Sequence, residues 1–122
     1  MTEGRSFLEK ITDRLKKTPP VSNQQQNHSD ENRVMRHMIV HGKVQGVGFR
    51  HFTKQQADFS GIKGWVRNNS DGTVEIEASG TLENIESFTE ALKEGNGFSK
   101  VDNIETMESD KARTYQKFQV KY

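Results

Sequence analysis

From residue 35 onward the apolar positions switch between a spacing of two and a spacing near 3.6, and each switch marks an element. Val74, Ile76 and Ala78 alternate with Thr73, Glu75 and Glu77, which predicts a strand over Thr73 to Ser79 with one covered face. Ile62 to Asn68 reads as the strand before it. Asn69-Ser70-Asp71-Gly72 supplies turn residues between them, so the two form a hairpin. Met38 and Val40 alternate with Ile39 and His41 in a first strand. Arg50 to Ser60 reads as a helix that buries Phe49, Phe52, Ala57 and Phe59, with Gly61 as its stop. Thr81 then caps a second helix whose Leu82, Ile85, Phe88 and Leu92 share a face, with Gly95 just past its end. Val101 to Glu108 forms another strand, and Phe118, Val120 and Tyr122 alternate in a last short one. Trp65 and the phenylalanines are expected in the core.

This order, β-α-β-β-α-β with a small extra strand, predicts an α+β fold. It is the ferredoxin-like split βαβ sandwich, with two helices on one face of an antiparallel sheet.

Residues 1–34 carry a different pattern. Ser6 and Glu9 stand in capping-box positions, and Phe7, Leu8, Ile11 and Leu15 fall near one helical face before Thr18-Pro19-Pro20 ends the run. A short amphipathic helix over 7–17 is expected there. Val21 to Asn32 offers Ser, Asn, Gln, His and acidic residues with almost nothing to bury, which reads as a disordered linker. The organisation expected is therefore a leader over 1–34 and one domain over 35–122, since Met35 can itself begin a complete domain.

Composition narrows the function classes. The 122 residues suffice for one core, and hydrophobic content is low at 30%. Cysteine is absent, which excludes disulfides and thiolate chemistry. A net charge of +1 gives no general pull toward nucleic acid or anionic lipid. No apolar run approaches the roughly 20 residues of a membrane span, and no signal-peptide pattern opens the chain. The expectation is a monomer in the cytoplasm, with no nucleic-acid or membrane partner.

The chemistry lies in Val40-His41-Gly42-Lys43-Val44-Gln45-Gly46-Val47-Gly48-Phe49-Arg50. Three glycines sit between a strand and a helix, and the loop closes on an arginine. Glycine lets an anion approach main-chain N–H groups closely. A helix N-terminus directs unpaired N–H groups and partial positive charge at whatever stands before it. A guanidinium adds a planar fork suited to phosphate oxygens. Strand, glycine loop, arginine and helix together make a cradle for a phosphate-sized anion. The loop lacks the Gly-Lys-Ser/Thr end of a P-loop and the third glycine of a dinucleotide site.

Other polar residues read more plainly. His37 and His41 are roughly 13 Å apart along one strand face, too far to share an ion, so both read as surface histidines and no metal site is expected. His51 reads as a helix-face residue. Arg67 and Lys43 read as solvated charges able to steer an anionic substrate. Asn68, taken alone, is the residue that enters the bend.

The loop resembles the first signature of acylphosphatases. Gly64-Trp65-Val66-Arg67-Asn68-Asn69-Ser70-Asp71-Gly72-Thr73-Val74, closing at Gly80, resembles their second. The resemblance covers 35–122, including Phe118-Gln119-Val120-Lys121-Tyr122. It implies hydrolysis of a carboxyl-phosphate anhydride to a carboxylate and inorganic phosphate, without metal or other cofactor. It implies that Arg50 binds the phosphoryl group and that Asn68 holds the attacking water. The N–H groups of Gln45, Gly46, Val47, Gly48, Phe49 and Arg50 would form the cradle. The Tyr122 carboxylate is a candidate to orient Arg50 if the last strand lies beside the loop. Two rivals stand beside this reading. One is a non-catalytic phosphate or carbamoyl-phosphate binding module, found at the front of a larger protein; against it, the chain ends at Tyr122. The other is a ferredoxin-like RNA binder. The balance of 12 Lys plus Arg against 12 Asp plus Glu over 35–122 argues against that one.

Overall fold

The computed structural model describes residues 32–110 and 113–122. The elements run β1 (Arg33–Lys43), α1 (Phe49–Ser60), β2 (Lys63–Asn68), β3 (Val74–Thr81), α2 (Leu82–Glu94), β4 (Lys100–Glu108) and β5 (Phe118–Val120). The helix expected over 7–17 and the linker after it lie outside the described residues. β1 begins at Arg33, two residues before the boundary read from the sequence.

The strands order as β4-β1-β3-β2-β5. β3 pairs antiparallel with both β1 and β2, so those two run in the same direction on either side of it. This is the split βαβ arrangement expected. The sheet is not wholly antiparallel, however, because β5 pairs parallel with β2. The correction has a topological cause: β5 returns on the far side of β2 and adds to its free edge, where either direction satisfies the backbone.

The two helices pack on each other and on the sheet. The core between the layers holds Met38, Val40, Val66, Val74, Ile76 and Ala78 from the strands. From the helices it takes Phe49, Ala57, Ile85, Phe88 and Leu92. On α1 the buried stripe is Phe49, Thr53 and Ala57 rather than the phenylalanine set expected. Phe59 is exposed and Phe52 half-buried. Thr53 can enter an apolar layer because its hydroxyl donates to the Phe49 carbonyl at 2.8 Å. Leu82 is likewise exposed on the first turn of α2, and Phe98 is 77% exposed. Trp65 is buried but stands apart from this core. It meets His37 edge-on, with Lys121 Nζ 4.6 Å from its ring.

His37 is no ordinary surface histidine. Its Nδ1 lies 2.6 Å from Glu77 Oε1 and its Nε2 2.7 Å from Glu75 Oε2. Glu77 is buried and also accepts from the Ser109 hydroxyl. Arg67, read as a free surface charge, donates to Glu75 and lies over Trp65. Burial pushes the Glu75 carboxyl up, but the Arg67 bond and charge and the His37 ring outweigh it, so the group sits below the usual carboxylate range.

At the end of β1 the pairing with β4 shifts register between His41 and Gly42. A Cβ on Gly42 would stand 2.1 Å from the Lys100 carbonyl oxygen, so only glycine fits where the strand turns out into the loop.

Candidate functional site

The loop from Val44 to Gly48 alternates anchors with bare backbone. Val44 is buried in the core and Val47 packs against it, and Phe49 follows as a buried residue on α1. Gly46 and Gly48 between them are exposed. Hydrophobic burial thus drives the valines inward and leaves the glycine backbone as the outer surface of the loop. Gly48 holds φ +78°, a left-handed conformation that other residues adopt at a cost, and it forms the N-cap of α1. No side chain caps this helix, and no acidic residue stands in its first turn. Gly48 accepts the first helical bond, from Phe52 N–H at 3.0 Å.

Gln45 ties the loop to the hairpin across from it. Its Nε2 donates to the carbonyl oxygens of Asn69 and Thr73, both at 2.8 Å. The sequence pointed to its backbone N–H alone. The side-chain role had no local signal, because both acceptors lie more than twenty residues away. The hairpin it grips is itself well bonded. Asn69 N–H donates to Thr73 O at 2.9 Å, and Asn69 Nδ2 to Thr73 Oγ at 3.0 Å. The Thr73 hydroxyl and N–H both donate to Asp71, which holds that carboxyl below its usual range.

Asn68 is the last residue of β2, paired with Val74 just before this bend. Its Oδ1 is buried and, among the described residues, accepts no hydrogen bond. A buried acceptor left open costs about 1–3 kcal/mol, so its persistence marks a place prepared for a donor.

Arg50 reaches the same place from the first turn of α1. Its Nη1 donates to the Lys121 carbonyl at 3.0 Å, and its guanidinium stands 4.6 Å from the centre of the Tyr122 ring. β5 makes this possible: Lys121 N–H donates to Val66 O at 2.8 Å, extending the strand beside β2 toward the loop. Contact with the chain end therefore runs through a carbonyl and an aromatic ring rather than the Tyr122 carboxylate. Among the described residues Arg50 makes one side-chain hydrogen bond, to the Lys121 carbonyl, and no ion pair, which leaves further guanidinium N–H donors open.

Arg50, Asn68, Gly46, Gly48, Phe49 and Tyr122 line one pocket of about 170 Å³, with Val44 and His51 completing it. The structure thus brings together the arginine, the asparagine and the loop backbone, whose separation the sequence left open. Lys43 is exposed and outside the lining. Among the described residues no group of three or more His, Cys, Asp or Glu side chains is placed to hold a metal ion, and no helix is long and apolar enough to cross a membrane.

Comparison with known proteins points to one family. The acylphosphatase family model matches residues 36–120. The acylphosphatase of Bacillus licheniformis is 46% identical over 85 residues, which cover 70% of this chain and 94% of that protein. The crystal structure of acylphosphatase from Bacillus subtilis superposes with a TM-score of 0.70 at 44% identity, over 73% of this chain and 99% of that one. A structure of full-length HypF in the phosphate- and nucleotide-bound form matches with a TM-score of 0.66 at 34% identity, over 74% of this chain but only 12% of that one.

Proposed function

The chain belongs to the acylphosphatase family, and we propose that Arg50, Asn68 and the N–H groups of residues 45–50 carry out its reaction, hydrolysis of the carboxyl–phosphate bond of a small acyl phosphate. The observation that supports these roles best is one pocket holding two kinds of unmet valence. A guanidinium with spare donors faces it, and so does a buried amide oxygen with no donor.

Arg50 and the loop N–H groups bind the phosphoryl oxygens and stabilise the charge that spreads over them as the bond breaks. Asn68 Oδ1 accepts from a water and aims its lone pair at phosphorus. An amide takes up no proton at neutral pH, so Asn68 positions water and does not activate it as a base. Water oxygen attacks phosphorus, the bond to the acyl oxygen breaks, and the carboxylate departs with that electron pair. One water proton passes to a phosphoryl oxygen, giving dihydrogen phosphate, which equilibrates with monohydrogen phosphate by losing a proton to solvent. A carboxylate is a good leaving group, so the site needs no strong general acid, and positioning with electrostatics suffices.

We also read the protein as a cytoplasmic monomer in which residues 35–122 contain everything the chemistry uses. The test is phosphate release from benzoyl phosphate in excess chelator, by the whole chain and by a version beginning at Met35. Turnover by both is expected, with the shorter chain less stable because Arg33 bonds Ser79 and the Arg113 carbonyl. Binding of orthophosphate without turnover of any acyl phosphate would instead favour a non-catalytic module.

A further inference from the structure

The loop after α2 reaches the glycine loop through the side chain of Asn96, and the geometry is specific. Asn96 Nδ2 donates to the Val47 carbonyl oxygen at 2.9 Å, across 49 residues of chain. The orientation of this amide is fixed from its other end. Asn96 Oδ1 accepts from both Phe98 N–H and Ser99 N–H at 3.0 Å, so the nitrogen must be the atom that faces Val47. Asn96 N–H in turn reaches the Ser99 hydroxyl at 3.4 Å. The side chain is thus locked before it meets the loop.

In a trans peptide the C=O and the following N–H point in opposite directions. Holding the Val47 carbonyl toward Asn96 turns the Gly48 N–H the other way. Gly48 and Gly46 line the pocket and Val47 does not, so the other way is the pocket side. Among the described residues no other hydrogen bond holds the Val47 carbonyl or the Gly48 N–H, and Gly48 has no Cβ to narrow its backbone freedom. A Cβ there would find only Asn96 Nδ2, at 3.8 Å.

We infer that Asn96 is a positioning residue: it clamps the Val47–Gly48 peptide so that the Gly48 N–H is presented to the phosphoryl group. This rests on the reading of residues 45–50 as the anion cradle. It makes the loop over 95–99, which contributes no lining residue, part of the apparatus that grips substrate.

The test uses the full chain, with inorganic phosphate as the probe. Asn96→Ala is expected to raise the orthophosphate inhibition constant and KM together by about 10- to 100-fold, the loss of one well-aimed hydrogen bond to a charged group. In amide-resolved NMR, the shift of the Gly48 signal on adding phosphate should shrink while that of Gly46 persists. Asn96→Asp keeps both acceptor bonds to Phe98 and Ser99 but sets oxygen against the Val47 oxygen. It should retain the loop and still lose affinity, even at high salt where its charge is screened. An unchanged inhibition constant and an undiminished Gly48 response in both variants would overturn the clamp. Should Arg50→Gln also bind phosphate normally, the cradle itself would be the error; a weakened Arg50→Gln beside normal Asn96 variants would sink the clamp alone.

Discussion

The two helices of this fold begin in opposite ways. α2 opens on Thr81 in an extended conformation, whose hydroxyl accepts from Asn84 N–H at 3.1 Å, and Glu83 stands in its first turn. Its positive end is answered by the chain itself. α1 opens on Gly48 in the left-handed region, with no side-chain cap and no acid nearby. A glycine can offer the helix end nothing, and the next polar side chain, Arg50, adds positive charge instead of cancelling it. Both termini face the same physical demand for a partner. One meets it with its own side chain, and the other leaves it open. Under the roles proposed above, stability is given up at α1 so that an anion can supply it.

The sharpest way to break this contrast is to remove the charge at α1. Arg50→Gln keeps a planar donor but loses the guanidinium fork. It should cost roughly 10²- to 10³-fold in kcat/KM, the range for deleting a preorganised donor to a developing oxyanion. Because the contact serves bound substrate and transition state alike, KM should rise and kcat fall together. Steady-state kinetics with benzoyl phosphate reads both, and wild-type values would dismiss the role given to Arg50.

Asn68→Ala probes the proposed site residue that β2 supplies, apart from the loop and the helix end. Its buried Oδ1 has no partner among the described residues, so truncation removes an unmet acceptor and should leave the fold intact or firmer. Turnover should fall about 100-fold, the scale of misplacing an attacking group by an ångström, while inhibition by orthophosphate stays near its original strength. The split between a lost kcat and a kept inhibition constant separates the water from the cradle. If both fell together, Asn68 would belong to anion binding instead.

Much of this arrangement was legible in the sequence, and the parts that were not share a cause. Arg50 and Asn68 stand out only through the resemblance to the two acylphosphatase signatures, whereas the glycine loop and the Thr81 cap declare themselves through local spacing. So does the hairpin, whose Val74, Ile76 and Ala78 all turned out buried. Phe59 and Leu82 were read as core because hydrophobicity was weighed over position. Thr53 lies four residues after Phe49 and four before Ala57, and it takes the buried place that Phe59 does not. The remaining misses are long-range. Gln45 reaching Asn69 and Thr73, His37 between Glu75 and Glu77, and Lys121 holding Arg50 all join residues that sequence spacing cannot relate. Local rules state which backbone groups will want partners, but only the pairing of strands decides which side chain arrives.

The mildest test works on the other helix. Thr81→Ala deletes the hydroxyl that satisfies Asn84 N–H and exposes the start of α2 to the same want that α1 carries by design. The cost should be about 1 kcal/mol of stability, read as a shift in the denaturant midpoint without a change in slope. Ile85, Phe88 and Leu92 stay buried, so the helix keeps its packing and the pocket keeps its shape. Activity and phosphate inhibition should then be unaltered, since no lining residue belongs to α2. An uncapped terminus at α2 costs stability and gains nothing, because it has neither glycine backbone nor guanidinium to turn its open N–H groups into a site. Were Thr81→Ala to acquire phosphate-dependent stability at α2, an open helix end alone would suffice for binding, and the special status given to Gly48 and Arg50 would have to be abandoned.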